Sequence, residues 1–239
     1  RKVPRVRGDI FLSESVLTRA DRIPTGITGL DGLIQGGLMR GDVHLVSGGP
    51  GTGKTILVSR FVYNACKTLG ERTVYATFEE SSEFFKRNLA KLGTDFAPLE
   101  KEGKVKIIDL EILRGKGLES NISYLIELVS KARATILVID SLTALLLACE
   151  TQFEQRTFMK TVYKSLKAKD VTTVMTVSLD EGGRIGTEGF LSDSVILLEN
   201  WVDKNQFKSR FLIQKMRGTD HSRRYHSLTL GADISVSRF

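Results

Sequence analysis

Eight consecutive residues, Gly48, Gly49, Pro50, Gly51, Thr52, Gly53, Lys54 and Thr55, carry the plainest chemistry in the chain. Their spacing is G-x-x-x-x-G-K-[ST], the pattern of a loop that wraps nucleotide phosphates. Glycines let such a loop curl close to an anion, so that several backbone N–H groups converge on it without Cβ clashes. A helix opening at Lys54 adds unpaired N–H groups and a positive dipole end. The Lys54 ammonium suits the β- and γ-phosphates, and the Thr55 hydroxyl suits Mg²⁺. Ile56, in the first turn of that helix, completes the predicted nucleotide-binding set.

Three carboxylates follow at positions where such a site needs them. Asp140 ends the apolar run Ile136, Leu137, Val138, Ile139, so a strand there would present it at the C-terminal edge of a sheet. It could hold the same Mg²⁺ directly or through water. Glu79 and Glu80 end a second predicted strand. Either could orient or deprotonate a water in line with the γ-phosphate. Either could equally favour the first turn of a helix starting near Ser81. The pattern alone does not separate these roles, nor one glutamate from the other.

The tail adds Lys215, Arg217, Thr219 and His221 at the end of a predicted edge strand, with Arg223 and Arg224 beyond. Lys215 and Arg217 are two apart, so a strand would point both to one face. Spacing alone reads most simply as a solvated basic edge that discourages aggregation. His221 has no Cys or second His at metal-ligand spacing.

The elements needed to position these residues are legible in the periodicity. Strands are expected at 43–47, 72–78, 104–110, 135–139 and 172–177, with helices at 56–69, 81–92, 118–133 and 153–169 between them. A short helix at 29–34 precedes the first. That alternation implies an open, mainly parallel sheet covered on both faces. Segments 194–199, 210–216 and 228–230 read as strands without intervening helices, hence antiparallel additions at one edge. Residues 1–22 read as a basic N-terminal arm, most simply a solvated tail, and 23–239 as one domain.

Composition sets the outer limits. With 239 residues, 41% hydrophobic and 26% charged, the chain can bury a sizeable core. No apolar run approaches the ~18 residues that span a bilayer and no signal peptide is legible, so a cytoplasmic protein without a membrane partner is expected. The two cysteines, Cys66 and Cys149, form no CxxC pair and read as buried reduced thiols. A net charge of +7 suits an anionic partner, either a nucleotide or single-stranded DNA.

Taken together these motifs resemble the KaiC-like branch of the RecA superfamily. The carrying residues are Pro24, Thr25, Gly26, Gly29, Leu30 and Asp31, the loop at 48–55, Phe78, Glu79 and Glu80, Ile139, Asp140 and Ser141, and the tail 215–221. The chain is also similar to single-domain archaeal RadA paralogues of that branch. The resemblance implies a RecA-like P-loop core, ATP with Mg²⁺, and nucleotide held between subunits of a homo-oligomeric ring, with a hexamer expected. It implies that Glu79 and Glu80 form the catalytic pair, and that Lys215, Arg217, Thr219 and His221 reach the neighbour's nucleotide. A regulatory ATPase acting on a protein partner is the first functional expectation. A recombination or DNA-repair accessory that binds single-stranded DNA is the alternative. Ser178 stands where RecA recombinases usually carry a glutamine. The stretch 180–189 carries Arg184 as its one cation and has no aromatic residue, which argues against strand exchange.

Overall fold

The computed structural model describes residues 21–110, 118–180 and 182–239. Most of the expected basic arm (residues 1–20) and Glu181 therefore lie outside the described residues. Arg22, assigned to the arm by sequence, instead begins a strand: β1 (Arg22–Ile23) pairs antiparallel with β2 (Leu38–Met39). A short 3₁₀ turn at Asp31–Leu33 takes the place of the expected helix there.

The main sheet has nine strands in the order β11-β10-β9-β8-β3-β7-β6-β4-β5. They are β3 (Val43–Gly48), β4 (Thr73–Thr77), β5 (Val105–Asp109), β6 (Ile136–Asp140), β7 (Thr172–Ser178), β8 (Ser194–Asp203), β9 (Gln206–Met216), β10 (His226–Thr229) and β11 (Ser235–Ser237). Strands β3 to β8 run parallel, and β9, β10 and β11 add on antiparallel at one edge. The long helices are α1 (Lys54–Thr68), α2 (Ser82–Lys91), α4 (Leu118–Ala132) and α6 (Gln152–Lys167). The short helices α3 (Ala97–Lys101), α5 (Leu142–Leu146) and α7 (Thr187–Leu191) were not legible as helices. Each is a single turn or little more, too short for a 3.6-residue apolar period to show. The mixed parallel sheet with helices on both faces is the expected RecA-like α/β architecture.

Alternation along the strands makes two cores. In β6, Ile136 and Val138 join one cluster with Phe61, Val62 and Ala65 of α1, while Leu137 and Ile139 join the other with Leu125 of α4 and Phe158 and Val162 of α6. A strand buried on both faces must be apolar throughout, which is why β6 reads as a continuous run. Among the described residues no helix is long and apolar enough to cross a membrane.

Charges at the N-terminal edge of the sheet are paired within the chain. Arg40 bonds Glu71 at 2.5 Å, and the other Glu71 oxygen accepts from the Thr135 hydroxyl at 2.5 Å. Lys167 bridges Asp42 at 2.7 Å and Asp193 at 3.2 Å. Burial pushes the Glu71 carboxyl up, but the Arg40 and Thr135 bonds and the Arg40 charge outweigh it and hold it below the usual 4.5. A depressed folded-state pKa stabilises the fold above the unfolded value, and that contribution fades as pH falls through the folded value. Glu71→Gln should therefore cost about 1–3 kcal/mol at pH 7 in urea unfolding. The deficit should shrink below about pH 4.5, where the wild-type carboxyl takes up its proton. A deficit that stays constant down to pH 3 would refute the pairing.

Candidate nucleotide site

The loop between β3 and α1 takes its shape from its own backbone and one cation. Lys54 Nζ donates to the carbonyls of Gly48 at 2.9 Å and Gly49 at 3.0 Å. The Thr52 hydroxyl donates to Gly49 O at 2.8 Å. Burial lowers the Lys54 pKa, opposed by the nearby charges of Asp140 and Glu79. Gly53 caps α1 with φ at +91°, in the left-handed region that glycine occupies without strain. A Cβ there would lie 2.4 Å from Leu230 Cδ1.

Asp140 emerges at the C-terminal edge of β6, buried but without an ion-pair partner among the described residues. Instead, Thr176 of β7 donates its hydroxyl to Oδ1 at 2.5 Å and Tyr75 of β4 donates to Oδ2 at 2.7 Å. Ser59 of α1 sits 3.2 Å behind the Tyr75 hydroxyl, completing a chain of neutral donors. Burial and then the Asp140 charge push the Tyr75 pKa well up, so the phenol remains a donor. The peptide joining Asp140 to Ser141 is cis, and the Ser141 hydroxyl donates to Glu79 Oε1 at 2.7 Å.

These groups line one cavity of about 410 Å³. Its walls are Pro50, Gly51, Gly53, Lys54, Thr55 and Ile56 on one side and Glu79, Asp140, Ser141 and Ser178 on the other, with Leu230 at the margin. The Thr55 hydroxyl and the Asp140 carboxylate are hard oxygen donors of the kind that fit Mg²⁺. Among the described residues no cluster of three His, Cys, Asp or Glu could hold a metal alone.

The two glutamates part company. Glu79 lines the loop cavity and also an adjoining one of about 470 Å³, whereas Glu80 lines only the second. Burial, then the charges of Asp140 and Glu79, raise the Glu80 pKa. Neither belongs to the first turn of a helix: Ser81 is the N-cap of α2, accepting from the Phe84 N–H at 3.3 Å, and the acid in that turn is Glu83. Glu79 and Glu80 thus precede the N-cap, close to the positive end of α2.

The tail residues lie elsewhere. Lys215 and Arg217 do share a face, since both donate to the Phe190 carbonyl at the end of α7, at 3.1 and 3.2 Å. Lys215 also donates to Gly189 O and Ser192 O, and Arg217 to Asp193. Arg217 N–H donates to Asp193 O, and Asp193 N–H to Val43 O, which sets this group level with the start of β3. The loop begins at the other end of that strand, roughly 17 Å away at ~3.3 Å per residue. Thr219 accepts from Arg22 at 2.9 Å, and His221 Nδ1 lies 3.2 Å from Ser222 O. None of the four lines the loop cavity of its own chain.

Sequence reasoning missed Tyr75, Thr176 and Leu230. The first two sit in strands that carry further threonines, Thr73 and Thr77 in β4 and Thr172 and Thr173 in β7, so nothing local singled them out. Leu230 comes to the loop through the antiparallel edge and had no local signature.

The family described as "ATPase: KaiC" matches residues 23–236. This chain belongs to that family. It is 34% identical over 233 residues to the "Circadian clock oscillator protein KaiC" of Parasynechococcus marenigrum, covering 92% of this chain and 45% of that protein. The protein of the same name from Prochlorococcus marinus subsp. pastoris is 34% identical over 239 residues, with 46% of it covered. The chain thus spans about half the length of the curated KaiC relatives it matches. A crystal structure of a KaiC-like protein from Pyrococcus horikoshii OT3 superposes with a TM-score of 0.82 at 34% identity. That match covers 90% of this chain and 98% of the other.

In this KaiC-family chain Gly53→Ala should weaken binding of a fluorescent ATP analogue by at least about tenfold, because the added methyl meets both the left-handed backbone and Leu230. Circular dichroism of the variant should stay close to wild type. Unchanged affinity would show that the loop does not hold the phosphates in this shape.

Proposed function

We propose that this chain is a Mg²⁺-dependent ATPase that assembles with ATP between adjacent copies and whose cycle regulates a protein partner. The observation that carries the reading is the single cavity onto which the 48–55 loop, Thr55, Asp140 and Glu79 converge. The reported relatives are KaiC and KaiC-like proteins, which favours a regulatory ATPase over the recombination accessory. In the stretch 180–189, Arg184 lies 3.6 Å from Asp180, which offsets its charge.

In this reading, loop N–H groups and Lys54 take the phosphates as Lys54 exchanges its carbonyl contacts for phosphate oxygens. Mg²⁺ held by Thr55 and Asp140 would neutralise charge on those oxygens. Tyr75 and Thr176 keep the Asp140 carboxylate aimed while donating no charge that would compete with the ion. Glu79, steadied by Ser141, orients the attacking water. Glu80, with its raised pKa, accepts the proton, because a base works best when its pKa lies nearer the working pH. Lys215 and Arg217, out of reach of their own loop, act on the neighbour's γ-phosphate, as an arginine finger does.

Glu79→Gln combined with Glu80→Gln should lower turnover by at least about 100-fold while ATP binding persists. The wild-type rate should fall on the acid side at a pH above the ordinary 4.5 of a glutamate, since the deprotonated base is lost as pH drops through a raised pKa. Glu80→Gln should remove that limb. Turnover unchanged in the double variant would overturn the assignment.

Assembly is tested by complementation. Arg217→Ala and Lys54→Ala chains should each be inactive alone, yet mixing them should restore part of the activity by pairing an intact loop with an intact neighbouring tail. No recovery in mixtures shown to co-assemble would rule out action in trans.

A further inference from the structure

The hairpin of β8 and β9 continues past the top of the sheet: Leu198 pairs with Gly48, and β8 runs five residues further to Asp203. On that extension Asn200 reaches the phosphate loop, its Nδ2 donating to the Gly51 carbonyl at 3.2 Å. Its other amide atom is fixed from behind. Ser209, directly opposite in the β8–β9 register, donates its hydroxyl to Asn200 Oδ1 at 2.6 Å. A carbonyl can only accept and a hydroxyl must find an acceptor, so the two contacts set which way the amide points. The next pair is also locked: Arg210 bonds Glu199 at 2.7 Å and lies 4.0 Å from the Tyr225 ring centroid. The amide is thus presented from a stiff platform rather than a free loop.

The contact bears on the loop's chemistry. A phosphate loop works by turning N–H groups inward, and any carbonyl turned the same way would repel the anion. In a planar trans peptide the C=O and the following N–H point in opposite directions. Holding the Gly51 carbonyl toward Asn200 therefore sends the Thr52 N–H the other way. Gly51, at φ +72°, sits in a backbone region open to glycine, and the Asn200 amide adds a hold on its carbonyl from outside the loop. We propose that Asn200 is a positioning residue that presets the phosphate loop by holding the Gly51 carbonyl, with Ser209 fixing the amide. The inference rests on the nucleotide-binding reading above.

The test uses the whole chain, with calorimetric titration of Mg–ATP and of ADP and steady-state turnover on the wild type, Asn200→Ala, Asn200→Asp and Ser209→Ala. Asn200→Ala should raise the Kd of ATP and of ADP alike, about three- to tenfold for one lost hydrogen bond. KM should rise with it while kcat stays within about twofold, since the hold acts on the loop and not on the γ-phosphate. Asn200→Asp should be worse, placing a carboxylate against the carbonyl, and Ser209→Ala should shift Kd the same way by less. The shift should appear with the melting temperature of the nucleotide-free variants near wild type. Wild-type nucleotide affinity in both Asn200→Ala and Ser209→Ala, or a loss in kcat at unchanged Kd, would overturn the role of Asn200 alone. Failure of the wild-type chain to bind ATP or ADP would overturn the nucleotide reading itself, and this inference with it.

Discussion

A buried carboxylate whose hydrogen bonds come from neutral hydroxyls constrains the rest of this structure. Asp140 would be costly in an apolar sheet unless its lone pairs were met. They are met by hydroxyls from the two neighbouring strands, Tyr75 on β4 and Thr176 on β7. That solution requires β4, β6 and β7 to be adjacent and in one register, because a slip of one residue would turn each hydroxyl to the other face. The hydroxyls bring no charge of their own, and the Lys54 ammonium, which feels the Asp140 charge, makes its hydrogen bonds to loop carbonyls instead.

The sheet separates its electrostatics by edge. At the N-terminal edge Glu71, Asp42 and Asp193 are matched by Arg40, Lys167 and Arg217. At the C-terminal edge, among the described residues, Glu79 and Asp140 are hydrogen-bonded by hydroxyls, and Lys54, near enough to feel both charges, rests on carbonyls. Pairing below stabilises the fold with no ligand. Incomplete pairing above keeps acid, ammonium and loop available to one. Parallel strands make this division possible, since all their C-terminal ends open on the same side.

How much of this was legible in the sequence varied with the range of the interaction involved. The loop, Asp140 and the alternation of β3, α1, β4 and β6 were readable because local spacing and periodicity encode them. Ser81 announced the start of α2 correctly, yet pattern could not show that Glu79 and Glu80 stand outside that helix. Only the register of β4 against β6 brings Ser141 to Glu79. Leu230 and Asn200 were illegible for the same reason. Each reaches the loop through antiparallel strands added far along the chain, and pairing between distant segments leaves no periodic trace in either. The hairpin was read short because its outer half leaves the core and loses its apolar face.

The basic tail shows how geometry can reverse a reading of composition. From spacing alone, Lys215 and Arg217 look like a solvated edge, but an edge of that kind would leave its cations in water. Here Lys215 is bound by three carbonyls and Arg217 by a carbonyl and Asp193, all around the end of α7. Burial and the adjoining Arg217 charge lower the Lys215 pKa, so this ammonium is held where its charge is least comfortable. Two cations are gathered at one point, a strand's length from their own phosphate loop, and neither lines its cavity. If they act on a nucleotide at all, it is one bound by another copy. The same cations must then choose between the carbonyls of α7 and a neighbour's phosphates. In that case the choice would couple the position of α7 to whether a neighbour is loaded, and an assembly of such chains would have a physical means of sensing its own nucleotide state.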